Sequence, residues 1–307
     1  MLKTATDVKP KAITRERVIG IAVGLIVASF AFVFGLRWLE AAMTFQPTQI
    51  AVGSVSPPAR AKDVWITTKD NVRLHAWFFK SDRGPSAATV IYFHGNGGNI
   101  TNVGWVAESL AVRGFDTLLI DYRGYGQSEG ASRDENTLYA DGDAAVDYLI
   151  SQRGVDPGRI VLYGQSLGTV VATELALRHR CGAVILESGF SSAASVASHA
   201  LPWLPRWLHF IGRNRFESAE KLKRIRVPVL IAHGDPDPVL PTQEAHTLFA
   251  AANDPKKLLI FPGAGHNVFG SLGDSYLDQI EQFIRTSVAQ FNVQNHQCST
   301  FTGKDQA

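Results

Sequence analysis

The chain has few cysteines, no marked excess of charge of either sign, and no internal repeat or low-complexity tract. Its two cysteines are compatible with either redox compartment: Cys181 opens an apolar run typical of a buried thiol, and Cys298 lies in a polar tail. The chain has 30 basic and 28 acidic residues, so the net charge of +2 gives no indication of a nucleic-acid partner. No metal or organic cofactor is implied. With 307 residues, 45% of them hydrophobic, the chain can bury one large core or two modest ones.

One long uncharged segment, VIGIAVGLIVASFAFVFGL, runs from Val18 to Leu36. As a helix it is about 28 Å long, close to the thickness of the hydrocarbon core of a bilayer. Five basic residues precede it, and Arg37 is the only one in the twenty residues after it. The positive-inside rule predicts a cytoplasmic segment over 1–17, a single transmembrane anchor over 18–38 and an extracytoplasmic remainder. A cleaved signal peptide is the alternative, but its apolar region spans about 7–15 residues.

After a proline-containing linker, short β-rich runs alternate with amphipathic segments. Residues 63–80 alternate with a period of two, as in an antiparallel hairpin. Continuous apolar runs, typical of strands covered on both faces, follow at 88–95, 115–122, 159–166, 183–188, 228–234 and 257–264. Helical periodicity separates them, at 101–113, 137–151, 167–178, 242–252 and 274–290. This alternation predicts an α/β fold with a mostly parallel sheet, helices on both faces and an antiparallel edge.

The alternation is interrupted once, between Ser188 and Val227, by an interval that contains the apolar cluster LPWLPRWLHFIG. An insertion here predicts a small helical lid, about 189–223, over the carboxyl edge of the sheet, where ligands bind in such folds. Its aromatic side chains could line an acyl channel or pack on the sheet edge: Trp203, Trp207 and Phe210. The polar tail over 291–307 shows no periodicity and is predicted to be disordered, which leaves a domain over 60–290.

Two segments, YGQSEG (Tyr125–Gly130) and YGQSLG (Tyr163–Gly168), contain Gly-Gln-Ser-X-Gly, the pattern that marks the nucleophile of many serine hydrolases. Such a serine needs a strand before it, a tight turn with flanking glycines, and an immediate helix. Ser166 has this context, because RIVLY precedes it and LGTVVATELAL follows. Ser128 is followed by the polar, turn-like EGASRDEN, which indicates a glycine-rich loop. Ser166 is the predicted nucleophile.

A serine hydroxyl also needs a base and an acid that orients the base, and doubly wound hydrolases carry them in the order serine, acid, histidine. Of the nine histidines, only His266, in the glycine-rich FPGAGHNVFG after the last strand, satisfies this order. The acid should follow the preceding strand, where AHGDPDPVLP offers Asp235 and Asp237, and Glu187 is a lesser candidate. Spacing does not separate the two aspartates. Their proximity to His233 is only weak evidence for a metal site.

Acyl transfer needs two backbone N–H donors for the oxyanion. Leu167, directly after the nucleophile and at the start of a predicted helix, supplies one expected donor. The glycine-rich HGNGGN (94–99), which follows the strand TVIYF, can present the other, and the Asn96 N–H is its predicted donor. A plain strand-to-helix turn is the alternative interpretation of this segment.

Five blocks occur in the order and spacing of the α/β-hydrolase superfamily: YFHGNGGNI, DYRGYGQSEG, GQSLGTVVA, HGDPDPVLP and GAGHNVF. The chain most resembles the membrane-anchored branch of this superfamily, which contains lysophospholipid and monoacylglycerol lipases. It also resembles serine aminopeptidase-like hydrolases. The resemblance covers about residues 60–290. It implies that Asp237, the second aspartate of its block, is the acid, with Leu240 where valine or isoleucine is usual. It also implies that the block around Ser128 is a structural loop.

These residues predict acyl transfer to water through Ser166, His266 and Asp237, without defining the acyl group. The anchor and the lid favour a small-molecule acyl ester or lipid substrate at a membrane. A peptidase or amidase would instead need acidic residues for a free amino terminus, and the lid offers only Glu217 and Glu220. A non-catalytic scaffold is a third hypothesis, which the complete set of three residues disfavours.

Overall fold

The computed structural model describes residues 14–203, 205 and 212–302 of the chain. The strands of this described part are β1 (Gln46–Pro47), β2 (Ala61–Thr67), β3 (Arg73–Phe79), β4 (Thr89–Phe93), β5 (Gly97–Gly98), β6 (Asp116–Ile120), β7 (Ile160–Gln165), β8 (Ala183–Glu187), β9 (Val229–Gly234) and β10 (Lys256–Phe261). Its α-helices are α1 (Arg15–Thr44), α2 (Ile100–Val112), α3 (Glu135–Ser151), α4 (Gly168–Arg178), α5 (Ala193–Ala200), α6 (Ser218–Leu222), α7 (Gln243–Ala251), α8 (Val268–Leu272) and α9 (Asp274–Thr302).

Eight strands form one sheet in the order β10-β9-β8-β7-β4-β6-β3-β2. The strands from β10 to β6 run parallel, whereas β3 is antiparallel to both of its neighbours. Each apolar run of the sequence overlaps one of these strands, and the alternating segment over 63–80 forms the β2–β3 hairpin. The predicted α/β class, with a mostly parallel sheet entered through an antiparallel edge, is confirmed.

Both faces of the sheet are covered by helices. On β4, Ile91 and Phe93 point into one apolar core, and Val90 and Tyr92 point into the other. Helices α3, α4 and α7 contribute to the first core, and α2 and α9 contribute to the second. Side chains on both faces of a central strand are therefore buried, which is why these strands have continuous apolar sequences rather than alternating ones.

Helix α1 projects from the domain, and none of its residues is fully buried. Its most apolar window has a mean hydropathy of 2.5, so the helix is long and apolar enough to cross a membrane. A signal sequence near an N-terminus can also meet this criterion of length and hydropathy. Most of the predicted cytoplasmic segment, residues 1–13, lies outside the described residues.

The predicted start of the domain at residue 60 is too late. Phe45 is buried in the first core, and β1 pairs in parallel with β5, the Gly97–Gly98 strand of the glycine-rich loop. A two-residue strand has no periodicity, so the sequence pattern did not separate it from a linker.

The C-terminal end also differs from the prediction, because α9 continues through Thr302 where a disordered tail over 291–307 was expected. No proline or glycine lies between residues 274 and 302 to end the helix earlier. Its apolar stripe packs in the second core, with Tyr276, Ile280, Ile284 and Val288 buried. Residues 303–307 lie outside the described part of the chain.

Candidate active site

Ser166 lies on a sharp turn between the end of β7 and the start of α4. Its φ of 51° is in the left-handed region, a strain of roughly 1–3 kcal/mol for a residue with a side chain. The flanking glycines are required by close approach: a Cβ at Gly164 would lie 2.2 Å from the Gly168 oxygen, and one at Gly168 would lie 1.9 Å from the Phe93 oxygen. The Ser166 amide donates to the Glu187 carbonyl of β8 at 2.9 Å, which ties the turn to the sheet.

Ser128, in the second motif of the same pattern, has a different environment. It is buried, its Oγ accepts from the His75 amide at 2.8 Å, and it donates to the Asp121 carbonyl at 2.8 Å. The first hydrogen bond connects the loop after β6 to β3, and the second joins Ser128 to the start of the same loop. These contacts agree with the structural loop that the context of its motif indicates.

His266 follows β10 and connects two other side chains. Its Nε2 lies 3.0 Å from Ser166 Oγ, and its Nδ1 lies 2.7 Å from Asp237 Oδ2. Because the Asp237 carboxylate accepts hydrogen bonds, the Nδ1 atom of a neutral imidazole carries the proton here. Nε2 is then the basic nitrogen, and it faces the serine hydroxyl.

The Asp237 side chain is shielded from solvent and held by several donors. Its Oδ1 accepts from the amides of Val239 and Leu240 at 2.8 and 3.1 Å, and His233 Nε2 lies 3.1 Å from its Oδ2. Burial raises the pKa of this carboxyl, but the bonds from His233, His266 and the two amides together hold the pKa below its ordinary value of 3.8. Asp237 therefore faces His266 as a carboxylate.

The hydrogen-bond partners of the other two candidate acids are groups other than His266. Asp235 turns away and accepts from the Gly263 amide at 2.8 Å. It therefore does not converge with His233 and Asp237 on a metal position. Glu187 is fully buried, and its carboxyl accepts from the Phe269 amide at 3.1 Å and from the hydroxyl of Tyr163. Burial raises the pKa of Glu187. The hydrogen bond from the Phe269 amide holds α8 against β8.

Two tyrosines support the loop that contains Asn96. Tyr122 donates from its hydroxyl to the His94 carbonyl at 3.0 Å, and Tyr125 donates to the Asn96 carbonyl at 2.9 Å. Both tyrosines belong to the DYRGYGQSEG block, so this block positions the loop. Asn96 and Leu167 lie beside Ser166 in the lining of the same cavity.

This cavity has a volume of about 360 Å³, within the range of small-molecule sites. The lid contributes α5 to its wall, through Val196, Ala197 and Ala200. Trp203 is 75% exposed and is not among the described residues that line the cavity. Trp207 and Phe210 lie outside the described residues.

The sequence pattern missed one part of the wall, which comes from the end of α1. Leu36, Leu39, Glu40 and Met43 all line the cavity. The uncharged run around Leu36 indicated a membrane span, and nothing in its composition separates a lipid-facing residue from a cavity-facing one.

Comparison with known proteins agrees with this architecture. A family model described as alpha/beta hydrolase fold matches residues 88–223. The uncharacterized protein Rv2307c of Mycobacterium tuberculosis is 37% identical over 235 residues, covering 76% of this chain and 82% of that protein. The alpha/beta hydrolase domain-containing protein WAV2 of Arabidopsis thaliana is 30% identical over 289 residues, covering 85% of this chain and 91% of that protein. The chain belongs to the α/β-hydrolase-fold family.

A solved structure shows the same fold. The Pyrococcus furiosus esterase Pf2001 has a TM-score of 0.65 to this chain at 23% sequence identity. The match covers 79% of this chain and 99% of the esterase. At this level of identity the likeness establishes the shared fold and leaves the substrate to be argued from the site.

Proposed function

We propose that this protein is a membrane-anchored serine hydrolase that cleaves carboxylic esters through Ser166, His266 and Asp237. One observation carries the proposal: the continuous hydrogen-bonded series from the Ser166 hydroxyl through both nitrogens of His266 to the Asp237 carboxylate. A serine on a strand-to-helix turn, an imidazole nitrogen at 3.0 Å and a shielded carboxylate are together suited to nucleophilic acyl transfer.

In the proposed mechanism, Ser166 Oγ attacks the ester carbonyl carbon while its proton passes to His266 Nε2. The oxygen of the tetrahedral intermediate takes hydrogen bonds from the amides of Leu167 and Asn96, each worth on the order of 10²–10³ in rate. His266 then returns the proton to the departing alcohol, and the acyl group remains on Ser166. Water repeats the attack with His266 as base, which releases the carboxylic acid and regenerates the serine.

The cavity favours an acyl ester over a peptide. A peptidase that trims amino termini needs a free carboxylate to bind the substrate ammonium, and Glu40 is a carboxylate in the cavity wall. Its oxygens already accept from the amides of Arg213 and Asn214. The intact series from serine to aspartate disfavours the scaffold hypothesis.

The activity is tested by labelling with a fluorophosphonate probe, which reacts with an activated serine. The wild-type protein should label, and Ser166→Ala should not, because its alanine has no nucleophile. Ser128→Ala is the control, since its serine has the same motif but only structural contacts. A thermal unfolding curve of each variant checks that it is folded.

The opposite labelling pattern would overturn the assignment. If Ser166→Ala still labelled and Ser128→Ala did not, Ser128 would be the nucleophile. If the folded wild-type protein neither labelled nor hydrolysed an activated ester, the scaffold hypothesis would replace the enzyme.

We further propose that α1 is retained as the anchor, with its N-terminus in the cytoplasm and the catalytic domain on the extracytoplasmic side. The support is the apolar length of α1 and the basic residues concentrated before it. A phosphatase reporter fused after residue 60 should be active outside the cytoplasm, and the purified protein should have the full mass of 33.4 kDa. A cytoplasmic reporter would contradict the topology, and a shorter product would indicate cleavage.

A further inference from the structure

The last turns of α1 form one wall of the cavity that contains Ser166. Leu36, Glu40 and Thr44, spaced four residues apart, are half-buried and line the cavity. Phe34 and Trp38, on other faces of the helix, are 73% and 67% exposed. Residues four apart lie on one face of a helix, so this face of α1 is directed toward the catalytic domain.

Two sets of polar contacts hold this wall in place. Glu40 accepts from the Arg213 amide at 2.6 Å and from the Asn214 amide and side chain, both at 2.8 Å. These residues belong to the part of the lid that returns to the sheet. At the end of the helix, Asn96 donates from its side chain to the Met43 carbonyl at 3.4 Å, and the Gln46 amide donates to the Asn96 carbonyl at 3.2 Å. The wall is thereby joined to the lid and to the loop of the predicted oxyanion donor.

The position of the wall along α1 places it beside a membrane surface. Leu36 is the last residue of the uncharged segment that begins at Val18. At 1.5 Å per residue, Met43 lies about 10 Å further along the helix axis. The interfacial layer on each side of a bilayer is about 5–8 Å thick, so the wall extends from the hydrocarbon edge through this layer.

The chemistry of the cavity indicates what it holds. Apart from His266, Glu40 is the only charged or ionisable side chain among the described residues of the lining, and no lysine or arginine is present there. A phosphate or carboxylate group of a substrate would have no cationic partner in this part of the lining, and the negative charge of Glu40 would repel it. The other lining side chains are mostly aliphatic, which suits an alkyl chain.

We propose that the end of α1 is part of the substrate site: Leu36, Leu39 and Met43 hold the acyl chain of a long-chain ester of a neutral alcohol, and Glu40 positions this wall against the lid. The inference rests on the proposed function and goes beyond it, because it makes the membrane anchor a determinant of substrate selectivity.

The test compares kcat/KM for p-nitrophenyl decanoate and p-nitrophenyl butyrate, with the full chain in detergent micelles. Leu39→Trp adds volume to the wall, so the decanoate-to-butyrate ratio should fall by roughly tenfold or more. Leu25→Trp is the matched control, because Leu25 and Leu39 are both exposed leucines of the same helix, and only Leu39 is in the lining. This control should keep the wild-type ratio.

If Leu39→Trp and Leu25→Trp had the same decanoate-to-butyrate ratio of kcat/KM, the inference would be overturned, while the proposal of ester hydrolysis would stand. If the wild-type protein hydrolysed neither ester and did not react with fluorophosphonate, the proposed function would fail, and this inference with it. Met43→Trp provides a second obstruction of the same wall if Leu39→Trp does not fold.

Glu40→Gln tests the positioning role separately. A glutamine amide presents an NH₂ group to backbone N–H donors, so one of the contacts with residues 213 and 214 is lost. The KM for decanoate should rise severalfold with a smaller change in kcat, because the wall binds the chain and does not take part in the chemistry. The control is Glu217→Gln, because Glu217 is an exposed carboxylate of the lid. An equal loss of kcat on both esters, or no change in either constant, would contradict positioning by Glu40.

Discussion

Ser166→Ala is expected to lower kcat for p-nitrophenyl butyrate by roughly 10⁶-fold, the scale of losing the nucleophile of a serine hydrolase. The reason is that the proposed covalent intermediate forms on Ser166 Oγ, the atom that His266 faces at 3.0 Å. The rate left in the variant comes from binding and oxyanion stabilisation alone. Steady-state turnover of purified protein, with Ser128→Ala prepared in parallel, measures the effect.

The double variant Ser166→Ala/His266→Ala tests whether the two residues act as one catalytic unit. Residues that act as one unit have non-additive effects, so the double variant should be no slower than Ser166→Ala alone. A further large loss in the double variant would show that the two residues act independently. A Ser166→Ala variant that kept on the order of a tenth of wild-type activity would contradict its role as nucleophile.

Asp237→Asn is expected to lower kcat by about 10⁴-fold while the fold is maintained. An asparagine at this position can still accept from the Val239 and Leu240 amides, but it can present an NH₂ group to His266 Nδ1. The imidazole proton then moves to Nε2, and His266 no longer accepts the proton of Ser166. The loss arises from the wrong tautomer rather than from a changed position of the ring.

Asp235→Asn is the matched control for this change, because Asp235 lies two residues away and contacts the Gly263 amide instead of His266. Its kcat should remain near that of the wild type. The reverse result, with Asp235→Asn inactive and Asp237→Asn active, would assign the acid to Asp235.

A second readout of Asp237→Asn is the dependence of stability on pH. The pKa of Asp237 is lower in the folded protein than its ordinary value of 3.8, so the folded state binds the proton less readily than the unfolded chain. Its stabilising contribution is therefore complete above about pH 4 and is lost as the pH falls below that value. Between about pH 5 and about pH 3, the Tm of the wild type should fall more than that of Asp237→Asn. Parallel curves would contradict this assignment of the carboxylate.

The sequence by itself was sufficient for the fold class and for the prediction that Ser166, and not Ser128, is the nucleophile. Both depend on local pattern: continuous apolar runs identify strands covered on two faces, and a strand followed at once by a helix distinguishes one serine motif from the other. Chain order was enough to select His266 as the candidate base. These signals are local because backbone conformation and hydrophobic period are properties of consecutive residues.

Tertiary structure decided which side chains meet. Asp235 and Asp237 are equivalent in spacing, and only the path of the loop after β9 turns the second toward His266 and the first toward Gly263. The contribution of α1 to the cavity was equally hidden, since an apolar helix has the same composition whether it faces lipid or a substrate. Glu40 and Asn214 are 174 residues apart in the chain, and their contact depends on how the lid returns to the sheet. Contacts of this kind arise from packing between distant segments, which no local period encodes.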